Sequence, residues 1–219
     1  MEHHRHLDDE LNSLRDRVLR LGGEAEAALE RSMKALIGRN SELAQQVLDR
    51  DDKIDQLEVE VDRQCIDIIA LRQPAARDLR FVISVAKMAP VLERIADHAA
   101  NIARVAIDLN NEPELKSGFD LTRMSDQALL MLRAALDAFT TSDPIAAREV
   151  IASDAVINEL YNHVFHQLIE MMVTDPATAT RDARLLFVAK HLERIGDYVT
   201  DICELTVYMA EAAFIKHFK

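Results

Sequence analysis

The 219-residue chain is predicted to be all-α, built as two tandem, pseudo-symmetric three-helix bundles with six long antiparallel helices, and three observations carry that prediction. The composition is helical: five Gly, five Pro, three Tyr and no Trp, against an abundance of Ala, Leu, Asp, Glu and Arg. Chain breaks are sparse, and the one linker-like stretch falls at the midpoint. The third observation is internal repetition. Leu43, Val47, Asp51, Ile54, Asp55 and Leu57 return 103 residues later as Ala146, Val150, Asp154, Ile157, Asn158 and Leu160. Glu93-Arg94-Ile95-Ala96-Asp97 returns 100 residues later as Glu193-Arg194-Ile195-Gly196-Asp197.

The first helix is expected over Leu7–Ile37, ending at Gly38. Gly22-Gly23 in its interior costs ~1 kcal/mol per Gly relative to Ala, which points to a kink or a close helix approach. A second helix, Ser41–Leu71, stops before Gln73-Pro74, because a proline disfavours helical backbone in the residue before it. A third runs over Pro74–Leu109, and Pro90 inside it removes one helix hydrogen bond and predicts a bend. Residues 1–111 thus form a first bundle and 112–120 a linker, marked by Asn110-Asn111-Glu112-Pro113-Glu114 and Ser117-Gly118. The second bundle, 121–219, holds helices over Leu121–Thr140, Pro144–Val173 and from Ala177 to near the C-terminus. Asp143-Pro144 and Asp175-Pro176 supply its helix-start signals.

Composition also narrows function. With 38 acidic against 26 basic residues, the net charge of −12 repels nucleic acid and anionic lipid. No apolar run approaches the ~18–20 residues of a membrane helix, and the opening MEHHRHLDDE has no apolar signal region, so a cytoplasmic protein without membrane insertion is expected. Cys65 and Cys203 read as small core side chains in a reducing compartment, and His3, His4 and His6 as a solvated terminus.

In the third helix an apolar stripe runs through Val85, Ala89, Leu92, Ile95, Ala96, Ala99 and Ala103, repeated in the sixth from Leu185 to Cys203. Glu93, Asp97 and Asn101, at i, i+4 and i+8, form a ridge beside that stripe, and Glu193, Asp197 and Asp201 form its copy. Glu204 extends the second ridge where the first half has Arg104, so the ridge of the second half is the richer in acid. Like charges four apart cost a few tenths of a kcal/mol, a penalty a bound cation removes. Oxygen-only ligands suit Mg²⁺, Mn²⁺ or ferric iron, and neither a thiolate nor a close His pair is expected that would favour structural zinc. Since the ridges are expected to face outward, a site there would be open; the alternative is a solvated acidic face whose carboxylates pair with Arg94 and Arg194.

No catalytic constellation emerges: there is no Gly-rich phosphate loop, no HExxH and no nucleophile motif, so no enzyme is expected. A ferritin-like di-iron centre needs Glu-x-x-His pairs, and none occurs. His163 and His166 read as polar-face residues, and Arg72-Gln73-Pro74 with Asp78-Leu79-Arg80 as a structural turn and helix entry.

The order of these parts resembles the PhoU family, the phosphate-transport-system regulatory proteins. The resemblance rests on Arg5-His6-Leu7 with Glu10-Leu11, Gly22-Gly23, Asp51 to Glu58 before Cys65, Arg72-Gln73-Pro74 to Asp78-Leu79-Arg80, and the doubled Glu-Arg-Ile-x-Asp motif. It spans essentially the whole chain and implies a twin three-helix bundle, a homodimer without enzymatic activity. It implies further a negative regulator of phosphate uptake and of the phosphate-starvation response, standing between the ATPase subunit of a phosphate ABC transporter and a sensor histidine kinase. The family's acidic motifs bind metal, including multinuclear iron clusters, which carries over to Glu93, Asp97, Glu193 and Asp197, with Asn101 and Asp201 as extensions. Iron, manganese, magnesium and zinc are the metals in question. Tyr198 stands where many relatives have His, and the stretch from Thr174 to Asp182 keeps little of the Arg-Gln-Pro pattern, so the halves need not be equivalent. Two other readings stay open: a carboxylate-ligated iron-storage or redox protein, and a helical scaffold related by fold alone.

Overall fold

The computed structural model describes residues 2–113 and 120–215. Among these residues seven α-helices follow one another: α1 (Glu2–Ile37), α2 (Ser41–Leu48), α3 (Asp51–Arg72), α4 (Ala76–Asn110), α5 (Leu121–Thr141), α6 (Pro144–Thr174) and α7 (Ala179–Glu211). A 3₁₀ turn, Pro176–Thr178, leads into α7. The expected linker, 112–120, lies for the most part outside the described residues, as do the side chains of His3 and His4.

One expectation is corrected: the second helix is not continuous. It breaks at Asp49-Arg50, giving α2 and α3. Asp49 still donates its N–H to the Gln45 carbonyl, but the backbone then tightens, and Arg50 bonds back to Val47. Asp51 and Asp52 restart a helix in its first turn, where carboxylates oppose the positive end of the macrodipole. In the second half α6 runs unbroken through the equivalent Asp154.

Helix ends follow their sequence signals. Asn40 caps α2 through its side-chain oxygen, and Asp143 caps α6 by accepting from the amides of Ile145 and Ala146. Gln73, left-handed at φ 50°, closes α3 before Pro74, and Arg72 is held by Glu10 through three guanidinium hydrogen bonds. Arg39, also left-handed, donates to the carbonyls of Leu109, Asn110 and Glu112, satisfying the free carbonyl end of α4. Helix α4 continues through Pro90 without interruption.

Within the first half α1, α2 and α3 pack on α4, and within the second α5 and α6 pack on α7. The halves join where α4 and α7 lie antiparallel: Ser84 sits by the Leu205 carbonyl at one end, His98 meets His191 further along, and Arg184 reaches Asp108 and Glu112 at the other end. The predicted apolar stripes form this seam and the bundle cores, with Val85, Leu92, Ile95, Leu192, Ile195 and Val199 fully buried. Of the two adjacent glycines only Gly22 has a packing reason. A Cβ there would stand 2.7 Å from Leu136 Cδ2 on α5, whereas one on Gly23 would meet nothing within 4 Å.

Candidate metal-binding ridges

The break after α2 positions the first ridge. Restarting at Asp51 lays the opening turns of α3 along α4, so that Asp51, Asp55 and Glu58 share a field with Glu93 and Asp97. Burial and then the Asp97 charge raise the Glu93 carboxyl to about 7, helped by a hydrogen bond between the two side chains and by Asp55 and Glu58. Burial, followed by neighbouring carboxylates, also raises Asp51, Asp55 and Glu58. This is a face with surplus negative charge. Asn101, the third member of the expected ridge, is engaged by a cation: its side-chain carbonyl accepts from Arg104, whose other terminal nitrogen stands 3.5 Å from Asp51.

The second ridge differs. Glu193 is only 9% exposed, which corrects the expectation of an outward-facing side chain. Its Oε2 accepts from Lys190 Nζ at 2.6 Å, where the first half has Pro90. Asp197 Oδ2 stands 3.7 Å from Arg194, as expected for the solvated-face alternative, whereas Arg94 lies over the Tyr198 ring instead. Asn158 replaces Asp55 and donates to Asp154 Oδ2 at 2.7 Å, and Asp154 itself is 1% exposed. Gly196 makes room for it, since a Cβ there would fall 3.0 Å from Asp154 Oδ1 and 2.9 Å from Ile157. Asp201 is exposed and Glu204 half-buried further along α7. Along its own helix the second ridge carries more acid; packing gathers Asp51, Asp55 and Glu58 of α3 beside the first.

Asp51, Asp55 and Glu58 are the members that sequence reasoning did not assign. Their signal was present, since Asp51-x-x-x-Asp55 has the ridge spacing, but it served to mark the repeat and the family resemblance rather than a site. A second correction concerns histidine. His98 and His191, 93 positions apart, approach to 2.8 Å between their Nδ1 atoms, with Tyr198 stacked on His98. Burial lowers both, His191 to about 4 with the His98 charge contributing. Cys65 and Cys203 are buried in the core as expected, their thiols pushed up to about 12 by burial.

The donor chemistry of the first ridge suits a hard cation: all oxygens, several held above their ordinary carboxylate range by burial and then by one another's charge. Convergence is another matter. Among the described residues no three His, Cys, Asp or Glu side chains come together closely enough to hold a metal ion, so loading requires side-chain rotation. The second ridge does not fit as it stands, because Lys190 already neutralises Glu193.

Fold and site together define a doubled helical-bundle protein whose two central helices carry unequal carboxylate ridges. The PhoU domain matches it twice, at residues 18–106 and 121–206. The chain belongs to the PhoU family. It is 39% identical over 209 residues to a phosphate-specific transport system accessory protein PhoU homolog of Pseudomonas putida, covering 95% of this chain and 82% of the relative. A homolog of the same description from Aquifex aeolicus is 36% identical over 95% of this chain and 94% of its own. The crystal structure of PhoU from Pseudomonas aeruginosa superposes with a TM-score of 0.91 at 37% identity, over 94% of this chain and 99% of that one. The phosphate transport system regulatory protein PhoU from Streptococcus pneumoniae gives 0.88 at 29% identity, over 96% and 100%.

Proposed function

We propose that this protein is a phosphate-transport accessory protein that negatively regulates phosphate uptake and the phosphate-starvation response. It acts as a cytoplasmic homodimeric adaptor between the ATPase subunit of a phosphate ABC transporter and a sensor histidine kinase, and it is not an enzyme. The observation that carries this reading is the match in both halves, over nearly the whole chain, to proteins described as phosphate-specific transport system accessory proteins. No helix among the described residues is long and apolar enough to cross a membrane, which fits an adaptor that reaches its membrane partners through protein surfaces.

Metal binding belongs to the same proposal. Glu93 and Asp97 of α4, with Asp51, Asp55 and Glu58 of α3, supply the ligands, and the cation relieves their mutual repulsion. Deleting the gene in its host and measuring secreted alkaline phosphatase in phosphate-rich medium tests the regulatory role. Constitutive expression is the expected result, and a reporter that stays silent overturns it.

A further inference from the structure

At the end of the molecule remote from the linker, α1, the start of α4, the turn after α5 and the end of α7 line a half-open cavity of about 550 Å³. Two arginines line it: Arg15 from the fourth turn of α1 and Arg77 from the first turn of α4. Arg15 is held in place. Its guanidinium carbon lies 4.9 Å from the centroid of Phe81 and 5.7 Å from that of Phe139, and NH1 donates to the Thr140 carbonyl at 2.9 Å. That bond uses one of five donors. Among the described residues neither Arg15 nor Arg77 makes an ion pair. Burial and the like charge of Arg77 both weaken the hold of Arg15 on its proton, Asp16 opposing them. Helix α4 also begins here without a side-chain cap, so the positive end of a 35-residue helix adds to the field.

We propose that this cavity binds a small phosphorylated molecule, its phosphoryl group held between Arg15 and Arg77. Planar guanidinium groups match phosphoryl oxygens two at a time, and a preorganised Arg15 loses little freedom on binding. The volume falls within the ~300–1,000 Å³ of small-molecule sites, room for an organic body beyond the phosphoryl group. Leu11, Phe81 and Met209 offer that body an apolar wall, and Asn12 and Ser142 further hydrogen bonds. Asp8 and Asp78 also line the cavity. They oppose a bare anion and favour a ligand whose hydroxyl or amino groups can donate to them, as in a nucleoside monophosphate. Nothing here depends on the metal ridges, which lie elsewhere along α4 and α7.

Calorimetric titration of the full chain with AMP, adenosine and inorganic phosphate tests the proposal. The expected result is saturable AMP binding that weakens with salt, fails with adenosine, and drops at least about tenfold in Arg15→Gln and in Arg77→Gln. Circular dichroism confirms that each variant is folded, and Asp8→Asn should bind inorganic phosphate more tightly, since it removes a charge that opposes a bare anion. AMP binding tighter than inorganic phosphate assigns the site to an organic phosphate; equal affinity assigns it to inorganic phosphate itself. Absence of saturable binding by both phosphorylated probes overturns the proposal, as does AMP binding that both arginine variants retain or that adenosine equals.

Discussion

His98 and His191, one from each half of the chain, face each other Nδ1 to Nδ1 at 2.8 Å across the antiparallel seam of α4 and α7. One ring must donate and the other accept, so the contact tolerates one extra proton but not two. His191 is lowered to about 4, below its unfolded value, by burial and then by the His98 charge. Between about 4 and about 6.5 the unfolded chain therefore binds more protons than the folded one, and stability falls as pH drops through that window. His191→Phe should flatten the dependence of the urea midpoint on pH between 4 and 6.5. An unchanged slope would remove the pair from the acid response.

Glu93 works with the opposite sign. Its folded value, about 7, lies above the unfolded one, so the folded state holds the proton more tightly. Stability should fall as pH rises from about 4.5 to about 7 in chelator-treated protein, then level off. After discounting for solvent at this half-buried site, Glu93→Gln should stabilise the metal-free protein at pH 8 by about 1–2 kcal/mol and change little at pH 5. Urea unfolding at the two pH values checks it.

Lys190 supplies to Glu193 the positive charge that Pro90 cannot supply to Glu93. Lys190→Ala should cost about 1–2 kcal/mol in the absence of metal, since it leaves a largely buried carboxylate without its cation. Adding Mn²⁺ should then raise the melting temperature of the variant more than that of the wild type. Equal shifts would show that Lys190 does not occupy the second ridge in place of a metal.

The adjacent glycines should part company on substitution. Gly23→Ala adds a methyl group in open space and should stabilise by about 0.5–1 kcal/mol through helix propensity. Gly22→Val drives a branched side chain into Leu136 and should cost about 1–3 kcal/mol. Thermal melts of the two variants should move in opposite directions.

For the metal proposal itself, Asp55→Asn and Glu93→Gln together should lower bound metal after loading while helix content stays constant. Elemental analysis of wild type and double variant gives the comparison, and equal stoichiometry would take these residues out of the site.

Composition, the doubled Glu-Arg-Ile-x-Asp motif and the proline breaks were enough to place α1 and α4 to α7 to within about five residues, because such helices depend on propensity, caps and an apolar stripe, all local in sequence. The break at Asp49-Arg50 was missed because no Gly or Pro marks it, only the three aspartates Asp49, Asp51 and Asp52, which are poor helix formers. The ridges were legible as spacing, but their charge balance was not. Whether Glu93 stands among Asp55 and Glu58 while Glu193 is neutralised by Lys190 depends on side-chain direction and on which helix packs alongside. The His98–His191 contact and the Arg15–Arg77 cavity draw on residues 93 and 62 positions apart, respectively. The sequence by itself thus determined the helices, the duplication and the family. Only the tertiary structure decided which charges meet, since Coulomb and desolvation energies depend on distances and burial that periodicity along one helix does not contain.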